Sequence, residues 1–247
     1  MLRIVDSIAS TNRWRNQSDA VALLCFGLLL ETLLLPPFVV SPLVLVTCFG
    51  LAIGGAQVPG WIFCRAMFLS LGFIAMSSLG LAWSLEFYPR YALHFNEAEG
   101  MRALQMGLRA WAATSVTLFF AFTTSIAQFS NLLRRIRVPS GLVELIGLTY
   151  YSLFRLDDSL EKLLTAQRQR LGYRNFSLSL KSTGQAITAL FLRSVRQSIR
   201  WERGLTARGY RGQLRVLLPP SETRFYHHLA ALGVVLGILI LTTLGRI

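Results

Sequence analysis

The apolar positions of this chain fall into five runs, four of them before a long polar insertion and one after it. The first extends from about Ala20 to Leu35, carries Glu31 near its far end, where a carboxylate can reach water, and stops at Pro36-Pro37, which cannot continue a helix. The second, from about Val39 to Ala56, closes at the breaker sequence Gln57-Val58-Pro59-Gly60. Both are close to the lower limit for crossing about 30 Å of hydrocarbon. The third, from about Trp61 to Phe87, has Arg65 near its start, with Trp61 and Trp83 suited to the two interfaces. The fourth, from about Leu104 to Ile126, is less apolar. Thr114, Ser115, Thr117, Thr123, Thr124 and Ser125 predict a helix packed inside the bundle that bonds across to its neighbours. The last run, from about Phe225 to Leu244, opens with Tyr226, His227 and His228.

The insertion has a different period. After Asn131-Leu132-Leu133-Arg134-Arg135-Ile136-Arg137, Pro139 is placed to begin a helix. Leu142, Ile146, Thr149, Leu153, Leu156, Leu160 and Leu163 recur at alternating spacings of four and three, which is one apolar stripe on a helix. Glu144, Arg155, Asp158 and Lys162 are expected on the opposite side, with Asp158 and Lys162 as an i,i+4 pair. This helix reaches Ala166-Gln167-Arg168-Gln169-Arg170 and stops near Gly172. A second helix is expected from about Ser179 to Ala207-Arg208-Gly209. One side holds Leu180, Ile187, Phe191, Val195 and Ile199, and Arg193, Arg196, Arg200 and Arg203 form a basic ridge. Each helix would run roughly 45 Å. Pro219-Pro220 ends the insertion.

Composition agrees with a membrane protein. Only 15% of the 247 residues are charged, against roughly a quarter in soluble domains. The first eighteen residues are polar and end without a small-residue cleavage site, so no signal peptide is expected. Arg3, Arg13 and Arg15 beside the first run predict a cytoplasmic N-terminus, and five spans then put the C-terminus outside. The net charge is +13, and most of it lies between Arg134 and Arg224, as expected of a cytoplasmic face. Cys25, Cys48 and Cys64 all lie in apolar runs without CxxC spacing, which predicts packing rather than metal or redox chemistry. There is no Gly-x-x-x-x-Gly-Lys-Ser/Thr segment to cradle ATP, no Ser/His/Asp arrangement and no zinc spacing. No cofactor and no catalytic residue are therefore expected. His94, Glu97 and Glu99 are read as a solvated loop, His227 and His228 as interfacial packing, and Glu31 and Glu86 as acids near span ends.

The candidate site is in the insertion. An arginine at a helix end reaches into a partner groove and pairs with a carboxylate through two parallel bonds. A small residue before it and a glycine after it allow close approach. The order Leu132-Leu133-Arg134-Arg135-Ile136-Arg137-Val138-Pro139, an amphipathic helix, Ala166-Gln167-Arg168-Gln169-Arg170 and then Ala207-Arg208-Gly209 resembles the transmembrane T component of energy-coupling-factor (ECF) transporters, the CbiQ/EcfT family. Ile8-Ala9-Ser10-Thr11-Asn12-Arg13 and the short leucine-rich first spans resemble its CbiQ branch, which serves cobalt or nickel uptake. The resemblance implies a scaffold whose coupling helices dock on a pair of ABC-type ATPases and contact a substrate-binding membrane subunit. It also implies two Ala-Arg-Gly signatures whose arginines enter grooves on the ATPases. The second is present as Ala207-Arg208-Gly209. At the first, Gln169-Arg170-Leu171 stands in its place with Gly172 one later, so Arg170 is the natural carry-over and Arg168, beyond Ala166, the alternative.

The expected architecture is therefore all-α and polytopic, with about five transmembrane helices and long amphipathic cytoplasmic coupling helices. Residues 1–127 would form the N-terminal bundle, 128–224 the coupling region and 225–247 the last membrane helix. The chain is expected in the inner (cytoplasmic) membrane, in contact with lipid and not with nucleic acid. A rival reading, a membrane-bound enzyme gripping a phosphorylated lipid with the ridge from Arg193 to Arg203, lacks a base beyond Glu202, Asp157 and Asp158.

Overall fold

Proline and glycine set the helix boundaries in the first half of the chain. The computed structural model describes residues 2–14, 17–86, 92–95, 97–210 and 225–244. α1 (Leu2–Thr11) is followed by α2 (Ser18–Leu34), which ends before Pro36. α3 (Pro37–Gly50) has Pro37 in its first turn and runs into a π-helical turn at Leu51–Gly55. α4 (Gly60–Ala82) follows Pro59. Next come β1 (Trp83–Glu86), β2 (Ala92–Phe95), α5 (Glu97–Thr123), α6 (Ile126–Arg135), α7 (Ser140–Gln169), α8 (Phe176–Ala207) and α9 (Phe225–Leu244). The described residues form an all-α protein apart from one small antiparallel hairpin, in which Trp83 lies opposite Phe95.

The chain divides into two units, Met1–Phe129 with Pro219–Ile247, and Ser130–Leu218. In the first, α5 packs against α1, α2, α3 and α4, and α9 packs against α2 and α3. Leu28, Val40, Val44, Phe63, Val116 and Phe119 are the large side chains fully withdrawn into its core. Phe63 meets Phe122 edge-on at 6.1 Å, and Trp14 meets Phe119 in the same way at 6.1 Å. Such edge-to-face pairs add to the burial of the rings themselves. Gly27 permits α2 to approach α9, since a Cβ there would meet the Val235 side chain.

Among the described residues three helices are long and apolar enough to cross a membrane: Pro37–Gly55, Gly60–Leu81 and Tyr226–Thr243. A fourth span is available if α5 and α6, bent by 104° at Thr124–Ser125, count as one broken span. α2, expected as the first of five spans, has only 17 residues, a rise of about 26 Å. The protein is a multi-pass membrane protein on this helix content.

Several expectations are corrected. The third apolar run leaves the helix at Ala82 rather than Phe87, because Trp83–Glu86 pairs as a strand. α5 begins at Glu97, seven residues before Leu104, taking up part of the expected loop. Its interior position is as expected; Ser115 bonds across to Cys48 of α3, while most of its hydroxyls bond within the helix. Thr114, Ser115, Thr117 and Thr123 donate to the carbonyls of Ala110, Ala112, Ala113 and Phe119 on their own helix. That satisfies each hydroxyl locally, which an apolar setting favours. α5 stops at Thr123, and Ser125-Ile126-Ala127-Gln128 restarts the chain as α6: the Gln128 side chain accepts the Ser125 N–H at 2.9 Å, one half of a capping box. The polar lead-in also holds the helix α1. Behind it the Asn12 amide donates to the Phe122 carbonyl at 3.3 Å, fastening the segment to α5. Cys25 and Cys48 are buried as expected, whereas Cys64 is exposed on α4.

Candidate functional site: two arginine-capped helix ends

In the second unit α7 and α8 form an antiparallel helical hairpin. Gln167 pairs with Gln185 near the turn, Tyr151 meets Trp201 midway at 5.9 Å, and Glu144 meets Tyr210 at the open end. The helices are 30 and 32 residues long, about 45 and 48 Å. The Arg155 guanidinium lies over both central rings, 5.0 Å from Tyr151 and 5.7 Å from Trp201, an arrangement attractive to a cation.

α8 ends at Ala207, and Arg208 is its C-cap, with φ −91° and ψ 11°. Gly209 follows in the left-handed region at φ 72°. The Gly209 N–H donates to the Thr206 carbonyl and the Tyr210 N–H to the Leu205 carbonyl, both at 3.0 Å. These are the two bonds of a Schellman closure, which uses carbonyls the last turn would otherwise leave bare. Glycine stands there because a side chain at positive φ is strained.

α7 ends in the same way. Arg170 is its C-cap, with φ −88° and ψ 14°. Leu171 takes the left-handed position at φ 56°. The Leu171 N–H donates to the Arg168 carbonyl at 3.0 Å and the Gly172 N–H to the Gln167 carbonyl at 2.9 Å. Arg170 is thus the geometric counterpart of Arg208, and Leu171 that of Gly209. Gly172 answers a different need: a Cβ on it would meet Ser182 Oγ at 2.4 Å and the Gln167 carbonyl at 3.0 Å. Arg168 lies inside the last turn and Ala166 four residues before the cap, its carbonyl accepting the Arg170 N–H at 3.3 Å. Ala166, Arg168, Arg170, Ala207, Arg208 and Gly209 are all exposed. Guanidinium groups at helix C-termini also suit the negative end of the helix dipole. α6 closes with a third such turn, but there the arginine, Arg137, is itself the left-handed residue at φ 62° and not the cap.

Each arginine end is tied to the opposite helix one step further on. Ser182 Oγ, on α8, donates to the Gly172 carbonyl at 2.9 Å. The Tyr210 hydroxyl donates to Glu144 Oε2, on α7, at 3.0 Å. Donation to that carboxylate, with burial and the carboxylate's charge adding less, raises the Tyr210 pKa above its ordinary value. Glu144 had been expected on the polar side of α7 and is instead only 8% exposed. The four-three stripe misplaces the contact, because Val143, Glu144 and Ser159 are the buried positions of α7, while Leu142 and Leu153 are exposed. On α8, which starts at Phe176 rather than Ser179, Leu180, Ile187, Phe191, Val195 and Ile199 are all exposed, and so is the arginine ridge.

The remaining candidates do not converge. Among the described residues no three His, Cys, Asp or Glu side chains are grouped to hold a metal ion. The side chains of His94, Glu97 and Glu86 lie outside the described residues, as do Pro219 and Pro220. Glu31 does not reach water as expected: it is 4% exposed, and neither carboxylate oxygen has a partner. Arg109, on α5, donates to the Leu35 carbonyl, just past the end of α2, at 3.2 Å.

Comparison with known proteins gives one family. The family model CbiQ, described as cobalt transport protein, matches residues 11–218. The chain is 35% identical over 214 residues to the cobalt transport protein CbiQ of Rhodobacter capsulatus, covering 86% of each chain. It is 27% identical over 228 residues to an uncharacterized protein of Methanocaldococcus jannaschii, covering 87% of this chain and 83% of that one. It is 26% identical over 200 residues to the cobalt transport protein CbiQ of Salmonella typhimurium, covering 76% of this chain and 88% of that one.

Proposed function

Because the chain belongs to the CbiQ cobalt transport protein family, we propose that it is the membrane-embedded coupling subunit of an ATP-driven, ECF-type uptake system for Co²⁺ or Ni²⁺. ATP is bound and hydrolysed by a pair of ABC-type partner subunits, and the metal ion is selected by a separate membrane subunit. The chain itself carries no catalytic group and sits in the inner (cytoplasmic) membrane, with the α7–α8 hairpin on the cytoplasmic side.

The observation that carries this reading is the matched pair of arginine caps at opposite ends of one hairpin. Arg170 and Arg208 have the same cap geometry, are exposed, and stand at the ends of a rod of about 48 Å. Two cationic tips so far apart suit two partner subunits better than one. Each is placed to pair with a carboxylate through its fork of donors. Closure of the ATPase pair would then be passed to the helices as a rigid-body push.

Co-purification in mild detergent tests it. Arg208→Glu and Arg170→Glu together are expected to abolish retention of the ATPases while membrane insertion is unchanged. Arg168→Glu, one turn position off the cap, is expected to weaken retention less than Arg170→Glu. ATPases retained normally by the double variant would reject the proposal. A pronounced effect of Arg168→Glu with none of Arg170→Glu would reassign the first tip.

A further inference from the structure

We propose that Tyr210 and Ser182 are positioning residues that set the aim of Arg208 and Arg170, each by locking the residue two places beyond the cap arginine to the opposite helix. The proposal rests on the coupling reading above and assigns roles that an Ala-Arg-Gly signature does not contain.

A helix C-terminus frays, because its last carbonyls have no partner further along the helix. The Schellman bonds at Gly209 and Tyr210, and at Leu171 and Gly172, close each end, but only onto its own final turn. An arginine on such an end passes a pull into that turn, which unwinds before the helix moves. The second anchor changes this. Both ends carry one at the same place, immediately after the left-handed residue. At one end the Tyr210 side chain reaches Glu144 of α7; at the other the Gly172 carbonyl receives Ser182 of α8. Each cap is thus held by its own helix and by the neighbouring one, so displacement of either arginine is shared by both rods.

The burial pattern fits a built device. Ser182 is 6% exposed and faces a glycine that no larger residue can replace without moving the serine. Glu144 is a withdrawn carboxylate on a helix whose other acids are exposed, and it accepts a bond from 66 residues away. A charged acceptor makes the stronger kind of hydrogen bond. A side chain whose base is fixed also loses less freedom when it docks, which favours tighter binding.

The test uses the full complex and four variants read in two ways, by amide hydrogen exchange at residues 167–172 and 205–210 and by ATPase affinity. Tyr210→Phe keeps the ring and removes the donor. Amide protection at Gly209 and Tyr210 is expected to fall about tenfold, and ATPase affinity by a similar factor, while the middle of both helices exchanges as before. Glu144→Ala should reproduce this, and Glu144→Gln should restore most of it, since the amide oxygen still accepts. Ser182→Ala should have the matching effect at residues 167–172. Wild-type protection and affinity in Tyr210→Phe would overturn the proposal, provided that the Arg170→Glu, Arg208→Glu double variant abolishes ATPase binding. So would lost protection with unchanged affinity. If the Arg170→Glu, Arg208→Glu double variant retained the ATPases, the coupling reading would fail, and the proposal with it.

Discussion

Leu171 and Gly209 occupy the same left-handed position at two helix ends, and only one of them suits it. A Cβ in that region costs about 1–2 kcal/mol, so Leu171→Gly is expected to stabilise the end of α7 by about 1 kcal/mol. Gly209→Ala should destabilise the end of α8 by a similar amount, and local hydrogen exchange measures both. Gly172 is a different case, because its φ is ordinary but its space is not. Gly172→Ala should displace Ser182 and break its bond to the 172 carbonyl, although alanine is the better helix former. The offset between Gln169-Arg170-Leu171-Gly172 and Ala207-Arg208-Gly209 is thereby explained. The first end separates two demands, positive φ at Leu171 and close approach at Gly172, that a signature motif does not distinguish. Arg170 could be read from the sequence, but Tyr210, Glu144 and Ser182 could not. A tyrosine after a glycine, an acid on an amphipathic helix and a serine near a helix start are ordinary until the fold brings them together. Tyr210 carries a further expectation. Its raised pKa means that the contribution of its bond is fully present below the ordinary phenol value of about 10 and is lost as pH rises through the higher folded value. The tyrosinate absorbance of the wild type, less that of Tyr210→Phe, should therefore appear above the ordinary range.

At the scale of elements, the pattern of apolar positions located α7 and α8 well and misread what they bury. A four-three stripe assumes a neighbour along the whole helix. The α7–α8 hairpin meets instead at a few fastened points, and leaves Leu142, Leu153, Leu180, Ile187 and Phe191 exposed. Midway, those points are the Tyr151 and Trp201 rings under Arg155. Trp201→Ala removes the Tyr151–Trp201 and Arg155–Trp201 contacts and should cost about 1–2 kcal/mol of hairpin stability in denaturant unfolding. The two arginine ends, held by their own ties, should keep their local exchange protection. Elsewhere the sequence signals were present but outweighed. Ser125-Ile126-Ala127-Gln128 is a legible helix start, yet it lies at the end of an apolar run that reads as one continuous span. Polar Asn12 gave no hint that it would be buried, because its partner is a carbonyl 110 residues away.

For the whole molecule, the number of crossings decides where the termini lie, and α2 is the element in question. Its rise of about 26 Å falls short of a hydrocarbon core of about 30 Å. However, α2 and α3 are joined by a two-residue turn at Leu35 and Pro36, and both pack against α5 and α9. α3 with its π-helical turn is long enough to cross. A helix that pairs with it across so tight a turn cannot remain on one side without pulling α3 out of the core. Leu24, Leu28 and Val21 of α2 are buried in the same cluster as Val40, Val44 and Cys48 of α3, so the two share one depth. The exposed Leu30, Leu33 and Leu34 near the turn are apolar and suit the hydrocarbon that the short rise leaves at that end. Local thinning of the bilayer costs only fractions of a kcal/mol per Å of mismatch. α2 is therefore expected to cross, which gives five crossings with α3, α4, the bent α5–α6 pair and α9. Reporters fused at the two termini should then lie on opposite sides of the membrane. Reporters on the same side would mean that α2 or the bent pair turns back within the bilayer.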